Sequence, residues 1–386
     1  MRVLHVIPSV AERSGGPATA IVPMCRALMQ QGVEILLITT NAELNAPEVS
    51  EYKGVPAKWF PVEFGESFKY SRPLASWLGA NVHHFDLLHV HAVFNHSSVA
   101  ATRACRRARV PYVIRPLGTL DPWSMTQKSL RKRVFWQVAG KRMMQSAAAM
   151  HYTSEAEKLS TERLTGLNHG RVVPLGIETT TTISREKLEH HFPSLAHDPY
   201  VLVLSRLHPK KSLDVLIEAF LSLVQQQQFS KWRLVLAGDG HADYVSKLKH
   251  MAASEPRILF TGWVGGDQKR ALLGGASLLA LPSHQENFGL CVMEAMSHSV
   301  PVLVSPGVNL APEIVSANAG WVAAIDREAL TTKLAEALSD GAELAKRGRA
   351  GQQLSRQYSW ENAATRLVQL YQDILHDNGR ANVHRV

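Results

Sequence analysis

The sequence is poor in the features that mark disulfide-bonded scaffolds and membrane spans. Its three cysteines, Cys25, Cys105 and Cys291, are far apart and form no CxxC pair. Neither a zinc site nor a disulfide framework is therefore indicated, and a reducing compartment is favoured. No stretch approaches eighteen uninterrupted apolar residues, so no membrane-spanning helix is predicted. The opening MRVLHVIPSV lacks a long apolar region with a small-residue cleavage site, and we interpret it as a first buried strand.

Acidic residues are scarce in one part of the chain. The formal net charge is +9. The segment from Arg103 to Arg142 contains eleven basic residues and a single acidic one, Asp121. Within this part, residues 128–145 interleave basic residues with Phe135, Trp136, Val138 and Met143 at helical spacing. This composition is typical of a basic amphipathic helix at an anionic lipid surface, and equally of a solvated basic face on a packed helix. No known nucleic-acid motif accompanies the charge, so no nucleic-acid partner is predicted.

Ten short apolar runs rich in β-formers alternate with helical patterns along the chain. They lie at 3–8, 33–40, 87–94, 112–116, 149–154, 200–207, 233–238, 258–262, 278–283 and 300–305. Strands that are apolar on both faces and alternate with helices predict α/β domains with parallel sheets covered on both sides. A polar span at 178–198 interrupts the pattern, which argues against a TIM barrel and for two doubly wound domains.

We therefore predict an N-terminal Rossmann-like domain over 1–178 and a C-terminal one over 179–358. A last helix at 359–376 is expected to pack back on the first domain, followed by a flexible tail at 377–386. Because ligands of open α/β sheets bind at the carboxyl ends of the strands, the functional turns should follow strands directly.

Three such turns carry candidate chemistry. Gly15 and Gly16 follow the first strand and expose backbone N–H groups before a helix, a turn that suits phosphate but lacks the GxGxxG dinucleotide fingerprint. Arg206 and Lys211 follow the strand at 201–205 and direct two cations toward a helix start, which favours a diphosphate. Surface cations and a purely conformational glycine turn are the alternatives.

The third turn, HQENFGLCVMEAM (284–296), places two carboxylates eight residues apart around a helix start. With a helix beginning near Phe288, the amides of Asn287, Phe288, Gly289 and Leu290 would be ready for phosphate oxygens. Glu286 would lie at the mouth and Glu294 about two turns down the helix, each suited to a vicinal diol. A sugar nucleotide lying along the helix start fits this spacing; a helix-start acid with an unrelated surface acid is the alternative.

The sequence ENFGLCVMEAM, preceded by LLALPSH and followed by VPVLVSPGVNLAPEI, resembles the retaining nucleotide-sugar glycosyltransferases of family 4 and their Glu-x7-Glu motif. SRLHPKKSLDVLIEAF, LVLAGDG, FTGWV, SGGPA, VVPLGIE and the closing YSWENAATRLVQLYQDIL follow in the family's order, so the resemblance covers nearly the whole chain. It implies the GT-B fold, two Rossmann-like domains facing across a cleft, with the donor bound mainly by the second and no metal or other cofactor required.

The resemblance also implies roles for single residues. Glu286 would bind the transferred sugar and Glu294 the ribose, while Arg206 and Lys211 would act on the leaving diphosphate. The expected donor-binding set is Gly15, Gly16, Arg206, Lys211, Gly238, Val264, Asn287, Phe288, Gly289, Leu290 and Glu294, and the catalytic set is Glu286, Arg206 and Lys211.

The chain departs from the family at three places. This chain has Lys211-Ser212 where relatives often have Lys-Gly. It has Ser297-His298-Ser299 where relatives often have small residues and a glycine. The usual acceptor-side histidine has no clear match in VIRPLGTLDPW. We expect His91, His96 and Arg115 on the acceptor side instead; a lone histidine after a strand is more often structural.

The sequence thus predicts a cytoplasmic retaining hexosyltransferase, associated with the inner face of the plasma membrane through 128–145. Its expected partners are a UDP-sugar, UDP-glucose by resemblance, and a saccharide or lipid-linked oligosaccharide of bacterial exopolysaccharide assembly. The alternatives are a sugar-nucleotide epimerase or hydrolase on the same fold, and a basic peripheral membrane or nucleic-acid binding protein.

Overall fold

The computed structural model of the protein describes residues 1–12, 15–43, 50–65, 67–126, 129–178 and 185–383. The chain forms two compact units: unit 1 comprises Met1–Gly176 with Trp360–Val386, and unit 2 comprises Ile177–Ser359. Each unit is built on a largely parallel sheet with helices. The predicted α/β class with two doubly wound domains is confirmed.

Unit 1 contains an eight-stranded sheet in the order β3-β4-β2-β1-β5-β6-β7-β8. Every neighbouring pair is parallel except β3 and β4. The strands are β1 (Arg2–Val6), β2 (Glu34–Thr40), β3 (Glu51–Tyr52), β4 (Val55–Phe60), β5 (Leu87–His91), β6 (Tyr112–Arg115), β7 (Ala149–Tyr152) and β8 (Gly170–Val172). The helices are α1 (Gly16–Gln30), α2 (Arg72–Asn81), α3 (His96–Ala108), α4 (Pro122–Thr126), α5 (Ser129–Phe135), α6 (Lys141–Gln145), α7 (Glu155–Thr165) and, after unit 2, α16 (Trp360–Val383).

Unit 2 contains a parallel six-stranded sheet in the order β11-β10-β9-β12-β13-β14. The strands are β9 (Tyr200–Leu204), β10 (Arg233–Ala237), β11 (Ile258–Gly262), β12 (Leu278–Leu281), β13 (Val302–Val304) and β14 (Gly320–Val322). The helices are α8 (Arg185–His191), α9 (Leu213–Leu223), α10 (Ala242–Met251), α11 (Gly266–Gly275), α12 (Leu290–Ser297), α13 (Ala311–Ser316), α14 (Arg327–Ser339) and α15 (Gly341–Ser355).

The last helix, α16, belongs to unit 1 although it follows unit 2 in the chain. Its Tyr371 hydroxyl is buried and hydrogen-bonds His89 Nδ1 of β5 at 2.7 Å. The helix extends to Val383 and is therefore longer than the predicted 359–376, while residues 384–386 of the predicted tail lie outside the described residues.

The two faces of the unit 1 sheet differ in chemistry because side chains alternate along each strand. One face carries Leu4 and Val6 of β1 and Leu88 and Val90 of β5 into an apolar core. The other face carries the histidine cluster, four imidazoles that are fully buried. The cluster consists of His5, His89, His91 and His151.

Hydrogen bonds fix the proton positions in one half of this cluster. The backbone carbonyl of Val173 can only accept, so His151 donates to it from Nε2 at 2.8 Å. His151 Nδ1 must then accept from His89 Nε2 at 3.2 Å, and His89 Nδ1 accepts from the Tyr371 hydroxyl. His5 and His91 bond to each other at 3.0 Å. With every imidazole neutral, the donors of His89 and His151 are all paired, whereas His5 Nε2 and His91 Nδ1 have no partner within the described residues.

The segment 129–145 forms α5, a π-helical turn over Trp136–Gly140 and α6; Lys128 lies outside the described residues. The sequence predicts an apolar surface that includes Phe135, Trp136 and Met143. In the structure these three side chains pack in or against the unit 1 core. Three other side chains spaced four apart are exposed, and they form what we call the apolar ridge: Leu130 (74%), Val134 (56%) and Val138 (79%). Among the described residues no helix is both long enough and apolar enough to cross a bilayer.

We predict that acid destabilises the protein through the histidine cluster. Burial lowers the pKa of His5 and of His151 to about 3 and holds the pKa of His89 and His91 well below the usual range. Since the unfolded chain binds protons that the folded chain refuses, this stabilisation is complete above pH 6.5 and is lost as the pH falls toward 3. Over this range each histidine lowers the free energy of unfolding by up to about 1.4 kcal/mol for each pH unit.

The change to make is His5→Gln, which keeps a hydrogen-bonding side chain but does not titrate. The wild-type melting temperature should fall between pH 7.5 and 5.5, and the fall should be smaller in His5→Gln. The exposed His250 supplies the control, since His250→Gln should behave as wild type. Equal slopes in all three proteins would contradict the prediction.

Candidate functional site

The strand order of unit 2 reverses between β9 and β12, which are neighbours in the sheet. After β9 the following strands are added on one side of this pair, and after β12 they are added on the other side. Such a switch point opens a crevice at the carboxyl ends of the strands. The loops that follow β9 and β12 contain Arg206, Lys211 and Glu286. The predicted catalytic residues therefore occupy the one place in this sheet where topology favours a ligand site.

The loop after β9 presents two kinds of cation. Arg206 is exposed and, within the described residues, forms no ion pair. A 3-10 turn over Pro209–Lys211 follows, with the His208 Nδ1 accepting from the Lys210 N–H at 3.1 Å. Burial first, and then the charges of Arg206 and the two lysines, lower the pKa of His208. Burial and the neighbouring positive charges therefore both disfavour protonation of His208.

Ser212 ends this turn in the left-handed region, with a φ of 49°. Glycine adopts this conformation without the Cβ clash that serine incurs. The departure from the frequent Lys-Gly therefore falls on a strained position, and the side chain is buried, with only 2% of its surface exposed.

Lys211 Nζ forms an ion pair with Glu286 Oε2 across the two loops. Their side chains are only 13% and 23% exposed, so the pair is largely removed from water. Backbone contacts lock the same junction: the His284 N–H donates to the Lys210 carbonyl at 2.8 Å and the Glu286 N–H to the Gly307 carbonyl at 2.8 Å. The backbone on either side of Gln285 is therefore held by two hydrogen bonds, and the Glu286 carboxylate itself is held by the lysine.

The helix at this loop begins later than predicted. Gly289 is the N-cap, with a φ of 68°, and α12 starts at Leu290 rather than near Phe288. Within the described residues, the N–H groups of Phe288, Gly289, Leu290 and Cys291 donate to no backbone acceptor. Three of the four predicted amides, those of Phe288, Gly289 and Leu290, belong to this row, which extends to Cys291. Phe288 itself is buried, with its ring 5.8 Å from that of Tyr358.

The second carboxylate, Glu294, lies on α12 and pairs with Lys269 of α11 at 2.6 Å. Both side chains are less than a third exposed. Burial, followed by the charges of Lys269 and Arg270, lowers the pKa of the nearby His298. Lys269 was not predicted as a site residue because no local motif connects it with Glu294; only the packing of two helices does.

The other two unit 2 predictions, Gly238 and Val264, have structural explanations. A Cβ at Gly238 would meet the Ser205 carbonyl oxygen at 1.9 Å, so glycine is required for the loop after β10 to pass the loop that carries Arg206. Val264 is buried, whereas the neighbouring Trp263 is 44% exposed. The side chain available to a ligand in this segment is therefore Trp263.

In unit 1 the strand order reverses between β1 and β5. Gly15 is the N-cap of α1 with a φ of 97°, and Gly16, which is exposed, is the first helical residue. His91 ends β5 and is paired in register with Arg115 at the end of β6, so these two predicted acceptor-side residues lie side by side.

His96 has a different position, at the start of α3. Its Nδ1 accepts from the Ser71 N–H at 3.2 Å, and its ring lies 4.3 Å from that of Tyr70. Burial lowers its pKa. These contacts tie the starts of α2 and α3 together, which is a structural role, and the prediction of an acceptor-side role is not supported by them.

Arg115 is the least expected feature of this unit, because it is a fully buried guanidinium. Within the described residues its Nε has no hydrogen-bond partner, and the same holds for His5 Nε2 and His91 Nδ1. Burial lowers the pKa of Arg115 to about 10, while the carboxylate of Glu157 opposes that shift. A buried cation with unused donors is costly unless something pairs with it.

Three imidazoles of the histidine cluster, those of His5, His89 and His91, offer ring nitrogens within 4.8 Å of one another, which is close enough for a metal ion. In the structure His5 bonds to His91, and both nitrogens of His89 are used by Tyr371 and His151. A metal at this place would have to break those bonds.

Two family models match the chain, one in each unit. Residues 15–176 match the glycosyl transferase 4-like domain, and residues 184–354 match the glycosyl transferases group 1. Among solved structures, the Anabaena protein Alr3699/HepE, crystallised with UDP and glucose, is similar with a TM-score of 0.80 and 20% identity, covering 97% of this chain and 100% of that one. The chain has the GT-B glycosyltransferase fold.

Curated relatives are also glycosyltransferases, and they match this chain either over about half its length or at low identity. The O-antigen chain mannosyltransferase B of Escherichia coli is 30% identical over 180 residues, 46% of each chain. The D-inositol 3-phosphate glycosyltransferase of Streptomyces scabiei is 23% identical over 96% of this chain and 89% of that protein. The matched segment thus spans about half the length of the E. coli relative.

Proposed function

We propose that the protein is a retaining hexosyltransferase that moves a sugar from a nucleoside diphosphate, with UDP-glucose as the donor, to a saccharide or lipid-linked oligosaccharide. The observation that carries the proposal is the switch-point site of unit 2. There a partly buried Lys211–Glu286 pair stands beside free backbone N–H groups and the exposed Arg206. The glycosyltransferase domain matches and the UDP in the similar Anabaena structure support it.

The proposed chemistry follows from where charge develops. As the bond between the sugar and the diphosphate breaks, negative charge grows on the leaving group. Arg206, Lys211 and the N–H groups of Phe288 to Cys291 would stabilise that charge because they are fixed in advance. Glu286 would accept hydrogen bonds from the sugar hydroxyls and Glu294 from the ribose.

The ion pairs with Lys211 and Lys269 give both carboxylates a counter-ion until the donor arrives. A diphosphate competing for Lys211 would release Glu286 to the sugar hydroxyls. In the same way Glu294, now paired with Lys269, would be shared with the ribose. The donor thus replaces one set of charge partners with another, and no carboxylate is left buried alone.

On the acceptor side we propose His91 and Arg115, and we propose that the backbone N–H groups of Gly15 and Gly16 bind phosphate oxygens. Arg115 has unused donors and lies beside His91 in register. An acceptor hydroxyl or an acceptor phosphate would supply the missing partner.

A lipid-linked acceptor would be reached from the membrane surface, and we propose the apolar ridge as the contact. Leu130, Val134 and Val138 are exposed on one side of the helix, flanked by the exposed Arg131 and Arg133. Apolar side chains flanked by basic ones suit an anionic bilayer surface. The association with the inner face of the plasma membrane that the sequence predicts depends on this contact.

Two variants separate the roles of the site residues. Lys211→Ala should weaken the binding of UDP about tenfold or more, since a charge-assisted bond to phosphate contributes about 1.5–3 kcal/mol. Glu286→Gln should leave UDP binding nearly unchanged but abolish most transfer from the intact donor. Calorimetry and a turnover assay measure the two effects.

The controls are Lys231→Ala and Glu328→Gln, which alter exposed residues of the same unit. A prior thermal-shift screen of UDP, GDP and ADP selects the nucleotide, because a ligand of the folded state raises the melting temperature. If Lys211→Ala bound the selected nucleotide as wild type does, the diphosphate assignment would be wrong. Donor cleavage without any acceptor would favour the hydrolase or epimerase alternative.

We also predict turnover without added metal. If Arg206 and Lys211 supply the positive charge, a chelator should leave the rate nearly intact. Activity assayed in EDTA, with and without added magnesium or manganese, provides the measurement. A loss in EDTA that either metal restores would refute this mechanism.

The membrane contact is tested by vesicle sedimentation at low salt. Wild type should sediment with anionic and not with neutral vesicles, and Arg131→Glu/Arg133→Glu should stay in the supernatant, since each basic residue near the surface contributes roughly 1 kcal/mol. Lys132 is left unchanged because it bonds the Ser124 carbonyl and lies over the Phe94 ring. Arg349→Glu/Arg366→Glu is the matched control. If the wild-type protein did not sediment with anionic vesicles, the proposal would be wrong.

A further inference from the structure

Four arginines converge on one pocket at the surface of unit 1, remote in the fold from the sheet edge that carries His91 and Arg115. The pocket has a volume of about 300 Å³. Its lining consists of Arg103, Arg106, Arg107 and Arg142. We call it the arginine pocket.

The pocket is built from two helices. Arg103, Arg106 and Arg107 are spaced three and four residues apart and so share one side of α3, while Arg142 comes from α6. The buried Tyr112 of β6 fixes α6 beside them, because its hydroxyl donates to the Met143 carbonyl at 2.7 Å. The convergence is therefore set by the packing of the unit and does not depend on flexible side chains alone.

The pocket has no negative charge to balance it. Within the described residues, none of the four guanidinium groups has a carboxylate within 4.0 Å, although other arginines of the chain, such as Arg257 and Arg233, do pair with acids. Four like charges around one small volume repel one another. An arrangement of this kind is stabilised when an anion enters.

The electrostatics of helix ends explain only part of this set. Arg106 and Arg107 lie in the last turn of α3, where positive charge is favourable. Arg103 lies before that turn, and Arg142 belongs to another helix. The helix end therefore does not account for a pocket shared by all four.

We propose that the arginine pocket binds a compact phosphate group of two or more negative charges, a diphosphate or a phosphomonoester. The planar guanidinium fork matches phosphate oxygens in a bidentate way, and several forks around one volume favour a group with many oxygens over a single charge. A pocket of this size is ample for a diphosphate. This site lies in unit 1, separate from the residues of the donor site proposed in unit 2, and does not rest on that function.

The first experiment measures the binding of inorganic pyrophosphate by calorimetry, with excess UDP present to occupy any nucleotide site. Wild type should bind, and Arg103→Gln/Arg107→Gln should bind at least tenfold more weakly. These two arginines are exposed, so the variant should fold, and its melting temperature should match wild type. Arg349→Gln/Arg366→Gln, at exposed positions elsewhere, is the matched control and should bind as wild type.

The second experiment identifies the source of the phosphate. Vesicles containing phosphatidic acid are compared with phosphatidylglycerol vesicles of equal surface charge. Preference for phosphatidic acid that disappears in Arg103→Gln/Arg107→Gln assigns the pocket to a lipid headgroup; pyrophosphate binding without that preference assigns it to a soluble phosphate ester. Pyrophosphate affinity that is equal in wild type and the double variant, or no binding by wild type, would overturn the proposal.

Discussion

The ion pair between Lys211 and Glu286 is the interaction on which the candidate site of unit 2 depends. It joins two loops that the chain order separates by more than seventy residues and that only the neighbouring positions of β9 and β12 bring together. The loop after β12 has no regular structure of its own before α12. Its shape is set by this pair and by backbone bonds to Lys210 and Gly307.

Fixing the loop in this way leaves its remaining donors available. The carbonyls of Lys210 and Gly307 take up the N–H groups at 284 and 286, whereas the N–H groups from Phe288 to Cys291 lie at the helix start and, among the described residues, donate to no backbone acceptor. Unpaired N–H groups are tolerated where solvent or a ligand satisfies them. The loop's own bonds therefore hold these amides in place beside the cations, and donors fixed in advance are the condition for efficient electrostatic stabilisation.

The sequence was sufficient to predict the parts of the fold that have a strong periodic signal. All ten predicted apolar runs contain a strand, and α/β alternation with a polar break was enough for two parallel sheets. The strands that were not predicted are short or interrupted: β4 contains Pro56, and β8 and β14 have three residues each. Such segments are strands only because a neighbouring strand pairs with them, which a local pattern does not show.

The site residues show the same limit. The identities of Arg206, Lys211, Glu286 and Glu294 followed from a local motif, but their partners did not, since Lys269 and the register of His91 with Arg115 arise from packing between distant elements. The start of α12 was misplaced because a left-handed Gly289 can either continue a loop or cap a helix. In the segment 129–145, helical spacing indicated an amphipathic surface, but the larger Phe135 and Trp136 were taken into the core, and the smaller Leu130, Val134 and Val138 remained outside.

The two units use related topologies with opposite chemistry at the point where strand order reverses. Unit 2 keeps its charges partly exposed and paired, so that an incoming anion can exchange partners with them. Unit 1 buries neutral imidazoles in a closed hydrogen-bond chain that ends on Tyr371 of the returning helix α16. The donors of His89 and His151 each have an acceptor, which makes burial tolerable, whereas His5 Nε2, His91 Nδ1 and the neighbouring Arg115 Nε have no hydrogen-bond partner within the described residues. The fold thus accounts for His89 and His151, and among the described residues it leaves polar atoms of His5, His91 and Arg115 in the same sheet without a hydrogen-bond partner.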